Sequence, residues 1–146
     1  KYMKLSNSHG LTDALIEFGK TRHFNDEYFQ TLKDPSFSGL LYVLTAGIHI
    51  PNPSELLSSD TFKEYMKVLK QNFDFIIIDC APIGSISDAI PVGNAVDGTI
   101  FVVSAKDTKR KDAAQCVDLL KRSNVNVIGS VLTKAESGSG SYYYYY

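Results

Sequence analysis

The stretch FDFIIIDCAP, Phe73–Pro82, decides the fold class of this chain. Its residues from Phe75 to Ile78 are apolar without the alternation of a half-exposed strand, which is typical of a parallel strand covered on both faces. The run ends on Asp79, and open α/β sheets bind ligands at the carboxyl ends of their strands. The stretch therefore predicts a central parallel strand with a functional carboxylate at its end.

Apolar runs and helical patterns alternate on both sides of this strand. Buried strands are expected where apolar residues run together, and helices where they recur at helical spacing. In chain order we predict helix 10–20, strand 40–47, loop 48–60, helix 61–72, the strand above, strand 98–105, helix 107–124 and strand 125–135. The 61–72 helix is expected to bury an apolar stripe formed by Phe62, Tyr65, Met66 and Leu69. Strands separated by helices indicate an α/β fold with a mostly parallel sheet flanked by helices.

Four residues are expected to mark helix ends. Gly19 suits a helix stop, Thr61 and Glu64 have the spacing of a capping box, and Asp107 is a candidate N-cap.

The composition narrows the classes of function. A chain of 146 residues with 44% apolar residues is most simply one globular domain, and its net charge of −1 gives no field that would favour nucleic acid. The spacing of Cys80 and Cys116 is not that of a metal-binding motif, so reduced thiols are expected. No apolar run approaches the ~20 residues that span a bilayer. We expect one α/β domain at 1–136, followed by a flexible linker and tyrosine cluster at 137–146.

The end of the central strand has the pattern of a Walker B motif, in which a carboxylate holds Mg²⁺ beside the phosphates of a nucleotide. From the pattern alone, Asp79 could equally cap the next turn. Lys106, Lys109, Arg110 and Lys111 follow the 98–105 strand on the same side of the predicted sheet, where cations would face phosphate oxygens. They could equally be the solvated start of a helix.

The chain ends in SGSGSYYYYY, a Gly/Ser segment followed by a run of phenols. Gly/Ser segments behave as flexible tethers. A phenol on such a tether can enter another molecule's active site and accept a phosphoryl group, which adds about −1.5 to −2 charges. A cloning artefact or a sticky end without function is the plain alternative. The consecutive tyrosines are Tyr142, Tyr143, Tyr144, Tyr145 and Tyr146.

Blocks along most of the chain resemble the bacterial tyrosine kinases of capsule and exopolysaccharide synthesis. The blocks are HGLTDALIEF (9–18), LYVLTAGIHIPNPSELLSSD (41–60), FDFIIIDCAPIGSISDA (73–89), VDGTIFVVSAKDTKRKD (96–112), IGSVLTKAES (128–137) and the tyrosine run. Their order and spacing carry the resemblance, because no single motif is specific. It implies a P-loop NTPase-like fold of the SIMIBI type, related to the MinD and ParA ATPases and not to eukaryotic protein kinases.

The resemblance also implies roles for single residues. Asp79 would bind Mg·ATP as a metal ligand. Asp88 lies where the family carries an aspartate after the Walker B loop, and it either supports the metal site or caps a helix. Thr133 stands where related ATPases often have an asparagine that contacts the adenine. The tail tyrosines would be phosphoacceptors, modified in trans within a ring of subunits, and they are here Tyr142, Tyr143, Tyr144, Tyr145 and Tyr146.

The sequence departs from the family at several points. It contains no GxxxxGK[ST] segment, the glycine-rich cradle of nucleotide phosphates, and the triplet Gly19-Lys20-Thr21 lacks the leading glycine. The matching part is the kinase domain after its Walker A motif, so the N-terminal P-loop unit is not represented. The family's Thr-Pro-Pro after the aspartate is here Cys80-Ala81-Pro82. Three explanations stay open: a shortened chain, a P-loop from another polypeptide, or a degenerate relative that does not bind ATP.

These implications lead to two functional hypotheses. The first is most of a cytoplasmic tyrosine autokinase domain that uses Mg·ATP to phosphorylate the tail of another copy and regulates polysaccharide synthesis or export. Its partners would be further copies, a membrane adaptor of the polysaccharide co-polymerase type at the inner face of the membrane, and a cognate tyrosine phosphatase. The second is a non-catalytic pseudokinase or phosphoacceptor subunit. A MinD/ParA-type ATPase is a third and less favoured hypothesis, because the function of such proteins does not require clustered tyrosines.

Overall fold

The computed structural model describes residues 5–33, 39–84 and 88–135, and the chain divides into two compact units, one ending at Asp79 and the other beginning at Cys80. The helices are α1 (Leu11–Thr21), α2 (Pro53–Ser58), α3 (Asp60–Asn72), α4 (Ala89–Ala95) and α5 (Arg110–Arg122), with a 3₁₀ turn at Asp26–Tyr28. The strands are β1 (Gln30–Leu32), β2 (Leu41–Val43), β3 (Thr99–Ser104) and β4 (Val127–Thr133).

Helices α1 and α3 supply the core of the first unit. The apolar stripe that the sequence predicts on α3 is confirmed, since all of its members are buried, and α1 adds Leu15 and Phe18. Phe18 meets Tyr65 edge to face, with 5.2 Å between the ring centroids. Each fully buried large side chain contributes roughly 1.5–3 kcal/mol of transfer free energy. The buried members of the α3 stripe are Phe62, Tyr65, Met66 and Leu69.

Two helix ends differ from the predictions. Helix α1 continues past Gly19 and is closed by Arg22, which has the left-handed φ of 57°. Helix α3 begins before Thr61, because the Ser59 hydroxyl accepts a hydrogen bond from the Phe62 amide at 3.2 Å. Ser59 is therefore the N-cap, and the expected capping box at residues 61 and 64 is not formed.

The segment between α1 and α3 is less regular than expected. Strand β2 is short and pairs antiparallel with β1, with Leu32 opposite Leu41. Leu41 and Tyr42 are each 41% exposed, so the buried strand predicted at 40–47 is wrong. Helix α2 occupies part of the predicted loop, with Pro53 in its first turn, where the missing N–H removes no helical hydrogen bond.

The second unit contains the parallel strands. Strands β3 and β4 lie where the sequence predicts them and run in register from Ile100 opposite Gly129 to Ser104 opposite Thr133. Helix α5 begins at Arg110 with Lys109 as its N-cap residue, so Asp107 is not the cap. Parallel strands and helices confirm the α/β fold class.

The buried apolar set of the second unit is small. Val92, Leu120 and Val125 are its buried apolar residues within the described ranges. Gly93 lies so close to Val125 that an added Cβ would be 2.8 Å from the valine Cγ1. Much of the sheet surface stays exposed, contrary to the expectation of strands covered on both faces. The exposed apolar side chains of this sheet are those of Ile100, Val102, Val127, Ile128, Val131 and Leu132.

The run Phe75–Ile78, predicted as the central strand, is not among the strands of the structure. Phe75 and Ile77 are 92% and 94% exposed, whereas Ile76 and Ile78 are half-buried, and this alternation is that of an extended backbone. The prediction of a covered central strand is wrong for the described chain.

Within the described ranges, no helix combines the length and the apolar character that a membrane span requires.

Candidate functional site

Asp79 directly follows the exposed apolar run and is itself exposed. In residues 5–33, 39–84 and 88–135, no three His, Cys, Asp or Glu side chains are grouped so that they could hold a metal ion. Mg²⁺ is commonly bound through one or two carboxylates, with phosphates and water completing its shell. Asp79 therefore fits one position in a magnesium shell. The sequence has no glycine-rich cradle, so these residues do not fit a triphosphate by themselves.

A polar cluster joins the carboxyl ends of β3 and β4. The Ser104 hydroxyl donates a hydrogen bond to the Asp107 carboxylate at 2.7 Å and accepts one from the Asp107 amide at 3.2 Å. The same carboxylate forms an ion pair with Lys134, the residue after β4. Hydrogen bonds from Lys134 and Ser104 hold the pKa of Asp107 below its usual value. The cluster fixes the turn that leads from β3 to α5.

Thr133 lies beside this cluster at the carboxyl end of β4. Its hydroxyl donates to the Val103 carbonyl at 3.3 Å, and its carbonyl accepts a hydrogen bond from the Ala105 amide at 2.8 Å. Lys134 then adopts a left-handed φ of 54°, which is uncommon for a residue with a side chain. The structure thus places Thr133 at the sheet edge expected for a ligand contact, with its hydroxyl bonded to the neighbouring strand.

Lys109 and Arg110 lie at the first turn of α5, just after the same strand end. Both are exposed, and the described residues offer neither of them an ion pair. The free amides at the start of a helix also favour anions. Lys134, in contrast, is neutralised by Asp107. Lys109 and Arg110 therefore remain available to a phosphate at this edge.

The other predicted site residues lie apart from this edge. Asp88 is the N-cap residue of α4, but its side chain makes no capping hydrogen bond to that helix. Asp79 belongs to the first unit, whereas Lys109, Arg110 and Thr133 belong to the second.

The predicted phosphoacceptors all lie outside the described residues, which end at position 135. Their role therefore stays a prediction from the sequence. These residues are Tyr142, Tyr143, Tyr144, Tyr145 and Tyr146.

Sequence reasoning missed Ser104 and Lys134 as members of the polar cluster. Each stands at or just after the end of a predicted parallel strand, and such ends meet at one edge of a sheet. The register that sets Ser104 opposite Thr133 brings Lys134 to Asp107. The cluster could therefore have been predicted from the sequence by placing the ends of the predicted parallel strands side by side.

A second polar cluster attaches the loop after β2 to the start of α1. The Asp13 carboxylate accepts hydrogen bonds from the Gly10 amide at 2.9 Å and the Ile48 amide at 3.2 Å. Burial alone would raise the pKa of Asp13, but the backbone hydrogen bonds, including these two, and the charge of His9 together lower it. The Asn7 side chain donates to the Gly47 carbonyl at 3.1 Å and accepts from the Gly47 amide at 3.0 Å. This cluster joins two of the sequence blocks that carry the resemblance.

Known proteins match nearly the whole chain. CapB of Staphylococcus aureus is 34% identical over 142 residues, covering 97% of this chain and 59% of that protein. The tyrosine-protein kinase YwqD of Bacillus subtilis is 31% identical over 142 residues, covering 97% and 56%. No family model matches the chain.

Solved structures agree with these relatives. The kinase domain of the Escherichia coli tyrosine kinase ETK superposes with a TM-score of 0.77 at 28% identity, covering 99% of this chain and 54% of that structure. The chimerical protein CapA2B2 gives a TM-score of 0.74 at 25% identity, covering 90% and 54%. The chain thus spans a little more than half the length of these two relatives and two structures. The homologues of this chain are bacterial tyrosine kinases, and the chain corresponds to part of their P-loop NTPase-like kinase domain.

Proposed function

We propose that this chain is most of a tyrosine autokinase domain that carries its own phosphoacceptors. The domain transfers the γ-phosphoryl of Mg·ATP to tail tyrosines of another copy and thereby regulates the synthesis or export of a capsular or exopolysaccharide. The observation that carries the proposal is a match over 97% of the chain to kinase relatives, in a sequence that ends in five tyrosines. One polypeptide would then contain both the site that binds the phosphoryl donor and the tyrosines that accept the phosphoryl group.

In this proposal, charged residues of the described chain bind the metal ion and the phosphates of ATP. The exposed Asp79 carboxylate holds Mg²⁺, and Asp88, whose side chain makes no capping hydrogen bond to α4, supports that metal site. Lys109 and Arg110, which have no ion pair in the described chain, attract phosphate oxygens. Thr133 contacts the adenine base of ATP in this proposal. Bound ATP supplies the phosphoryl group, while positioning and electrostatic stabilisation by the protein account for most of the catalysis in phosphoryl transfer.

The proposed partners follow from the same family. The chain would assemble with further copies of itself and with a membrane adaptor of the polysaccharide co-polymerase type. This places it in the cytoplasm at the inner face of the cell membrane, where a cognate tyrosine phosphatase would reverse the modification. The phosphate cradle that these 146 residues lack would come from polypeptide outside them.

The test mixes two complementary variants of the protein, each together with the polypeptide that supplies the phosphate cradle. Asp79→Ala retains the tail and loses the proposed metal ligand, whereas a variant with Tyr142–Tyr146 all changed to Phe retains the metal ligand and loses the acceptors. After incubation with Mg·ATP, phosphotyrosine on the Asp79→Ala copy in the mixture, and on neither variant alone, is the expected result. Phosphotyrosine on Asp79→Ala incubated alone contradicts the role of Asp79.

The alternative is a non-catalytic phosphoacceptor subunit, and the missing GxxxxGK[ST] segment favours it. It predicts no phosphotyrosine in the mixture of variants. It also predicts that the tail becomes phosphorylated when a separate tyrosine kinase, for example YwqD, is added with Mg·ATP. The two hypotheses therefore differ in which protein must carry the working nucleotide site.

A further inference from the structure

The two cysteines of the chain both belong to the second unit, and both are thiols. Cys80 is exposed in the loop that follows Asp79, whereas Cys116 is half-buried on α5. The loop meets the helix four residues after Cys80, because a Cβ placed on Gly84 would lie 3.8 Å from the Cys116 sulfur. That distance is an ordinary van der Waals contact, so the loop rests against the sulfur of Cys116.

We infer that Cys80 and Cys116 form a reversible disulfide within one copy of the chain, and that small-molecule disulfides such as oxidised glutathione drive its formation. The bond itself does not depend on the proposed kinase function. Its bearing on that function does, because Cys80 is bonded directly to Asp79, the proposed metal ligand. Oxidation would therefore restrain the backbone next to that carboxylate.

The loop is long enough to bring the two sulfurs together. A disulfide needs about 4.4–6.8 Å between its Cα atoms, and a segment of four residues spans at most about 14 Å. The contact at Gly84 thus keeps Cys80 in the neighbourhood of Cys116. Residues 81–82 are exposed and belong to neither helix nor strand, so a movement of this part of the loop loses little packing. The movement that closes the bond therefore belongs to the loop and leaves α5 in place.

Helix α5 directs Cys116, and not its neighbour, toward the loop. Cys116 shares the inward side of the helix with Val117, which is half-buried, and Leu120, which is buried. Gln115 lies about 100° further round the helix and is exposed. A thiol at position 116 therefore faces the loop, whereas a thiol at position 115 would face solvent.

The redox step consists of two thiol–disulfide exchanges. The exposed Cys80 sulfur attacks one sulfur of oxidised glutathione, which joins one glutathione to Cys80 and releases the other as a thiol with the proton of Cys80. The Cys116 sulfur then attacks the Cys80 sulfur, and the second glutathione leaves as a thiol with the proton of Cys116. Two protein thiols are oxidised to one disulfide while one glutathione disulfide is reduced to two thiols. An excess of reduced glutathione reverses both exchanges.

The first test maps the disulfide in the whole protein, including the polypeptide that supplies the phosphate cradle. Equal amounts of unlabelled and heavy-isotope-labelled protein are equilibrated together in a glutathione redox buffer, alkylated and digested with trypsin. Mass spectrometry should find a product that joins the peptides Gln71–Lys106 and Asp112–Lys121, each of which contains one of the two cysteines. Both peptides of this product should carry the same isotope, because the bond forms within one copy.

Two results of this test would overturn the inference. One is a joined product that combines a labelled with an unlabelled peptide, since it shows a bond between copies. The other is the absence of the joined product in a buffer that oxidises Cys80 to its mixed disulfide with glutathione. Cys80→Ser and Cys116→Ser are the controls, and each should abolish the joined product.

The second test moves one thiol to the neighbouring position on α5. The double variant Cys116→Ser with Gln115→Cys keeps the number of thiols and places one of them on the exposed side of the helix. We expect about tenfold less disulfide relative to dithiol than in the wild type at the same redox buffer, because a strained bond is easier to reduce. Neither changed side chain is buried, so the variant should fold, and circular dichroism checks this. Equal amounts of disulfide in variant and wild type would contradict the role of the contact at Gly84 and overturn the inference.

Discussion

Two tyrosines of the first unit have the same raised pKa for different reasons. The Tyr28 hydroxyl donates to the Glu17 carboxylate, and this hydrogen bond raises the pKa of Tyr28 to about 12. Burial raises the pKa of Tyr65 to about 12, and its hydroxyl has no hydrogen-bond partner in the described chain. Folding favours the protonated phenol in both cases. Their stabilising effect is therefore complete below the unfolded pKa of about 10 and is lost as the pH rises toward about 12.

The same substitution should act in opposite directions at these two sites. Tyr28→Phe removes a hydrogen bond to a charged acceptor and should lower the free energy of unfolding by about 1 kcal/mol. Tyr65→Phe removes a buried hydroxyl without a partner in the described chain, so it should leave that free energy unchanged or raise it. Urea unfolding at neutral pH measures both variants. Equal destabilisation by the two changes would contradict a stabilising contribution of the Tyr28 hydrogen bond to the free energy of unfolding.

Gly47 illustrates a position where only glycine fits. Its φ is 82°, and an added Cβ would lie 2.3 Å from the Asp13 Oδ2 atom. Gly47→Ala should lower the free energy of unfolding by about 1–3 kcal/mol, because the change adds backbone strain and displaces Asp13 from the Ile48 amide. Gly129→Ala is the matched control, since a Cβ there meets nothing within 4 Å. Similar effects of the two changes in thermal unfolding would contradict this explanation.

At the scale of elements, the Asp107–Lys134 ion pair connects the ends of β3 and β4. The folded-state pKa of Asp107 is depressed, so the ion pair stabilises the protein above the unfolded pKa of about 3.9 and the effect is lost as the pH falls through the folded value. Asp107→Asn should therefore destabilise at neutral pH and lose its effect in acid below about pH 4. Chemical unfolding of the variant and the wild type at several pH values gives the difference.

Two further variants control this experiment. Lys134→Met should reproduce the neutral-pH effect of Asp107→Asn, because it removes the other partner of the pair. Asp118→Asn changes an exposed carboxylate on α5 that has no ion pair in the described chain. A destabilisation by Asp107→Asn that stays constant into acid would exclude the ion pair as its cause.

The elements also show what the sequence can and cannot reveal. Strands β3 and β4 and the buried stripe of α3 were predictable, because apolar runs and helical periodicity are local properties. The start of α3 was misplaced because the cap depends on which hydroxyl reaches the Phe62 amide. The run at Phe75–Ile78 has strand character, but a ladder needs a neighbour that no local pattern supplies. Asp107 and Lys134 are 27 residues apart, so their contact depends on strand register.

At the scale of the whole molecule, the two units differ in how much apolar surface they bury. Seven of the buried apolar residues in the described ranges lie in the first unit and three in the second. Few buried contacts indicate a lower local stability. We predict that the amides of β3 and β4 exchange with deuterium faster than those of α1 and α3. Equal and maximal protection in both units would mean that the protein opens only as one cooperative body.

The most direct measurement on the whole molecule is the binding of Mg·ATP, measured by calorimetry, by these 146 residues together with the polypeptide that supplies the phosphate cradle. We predict saturable binding that Asp79→Ala abolishes and that Asp26→Ala, at an exposed carboxylate on the 3₁₀ turn, leaves intact. This result would support a kinase domain that uses the Walker B aspartate. The absence of binding by a sample shown to be folded would contradict the enzyme assignment and make the tyrosine tail an acceptor for another kinase.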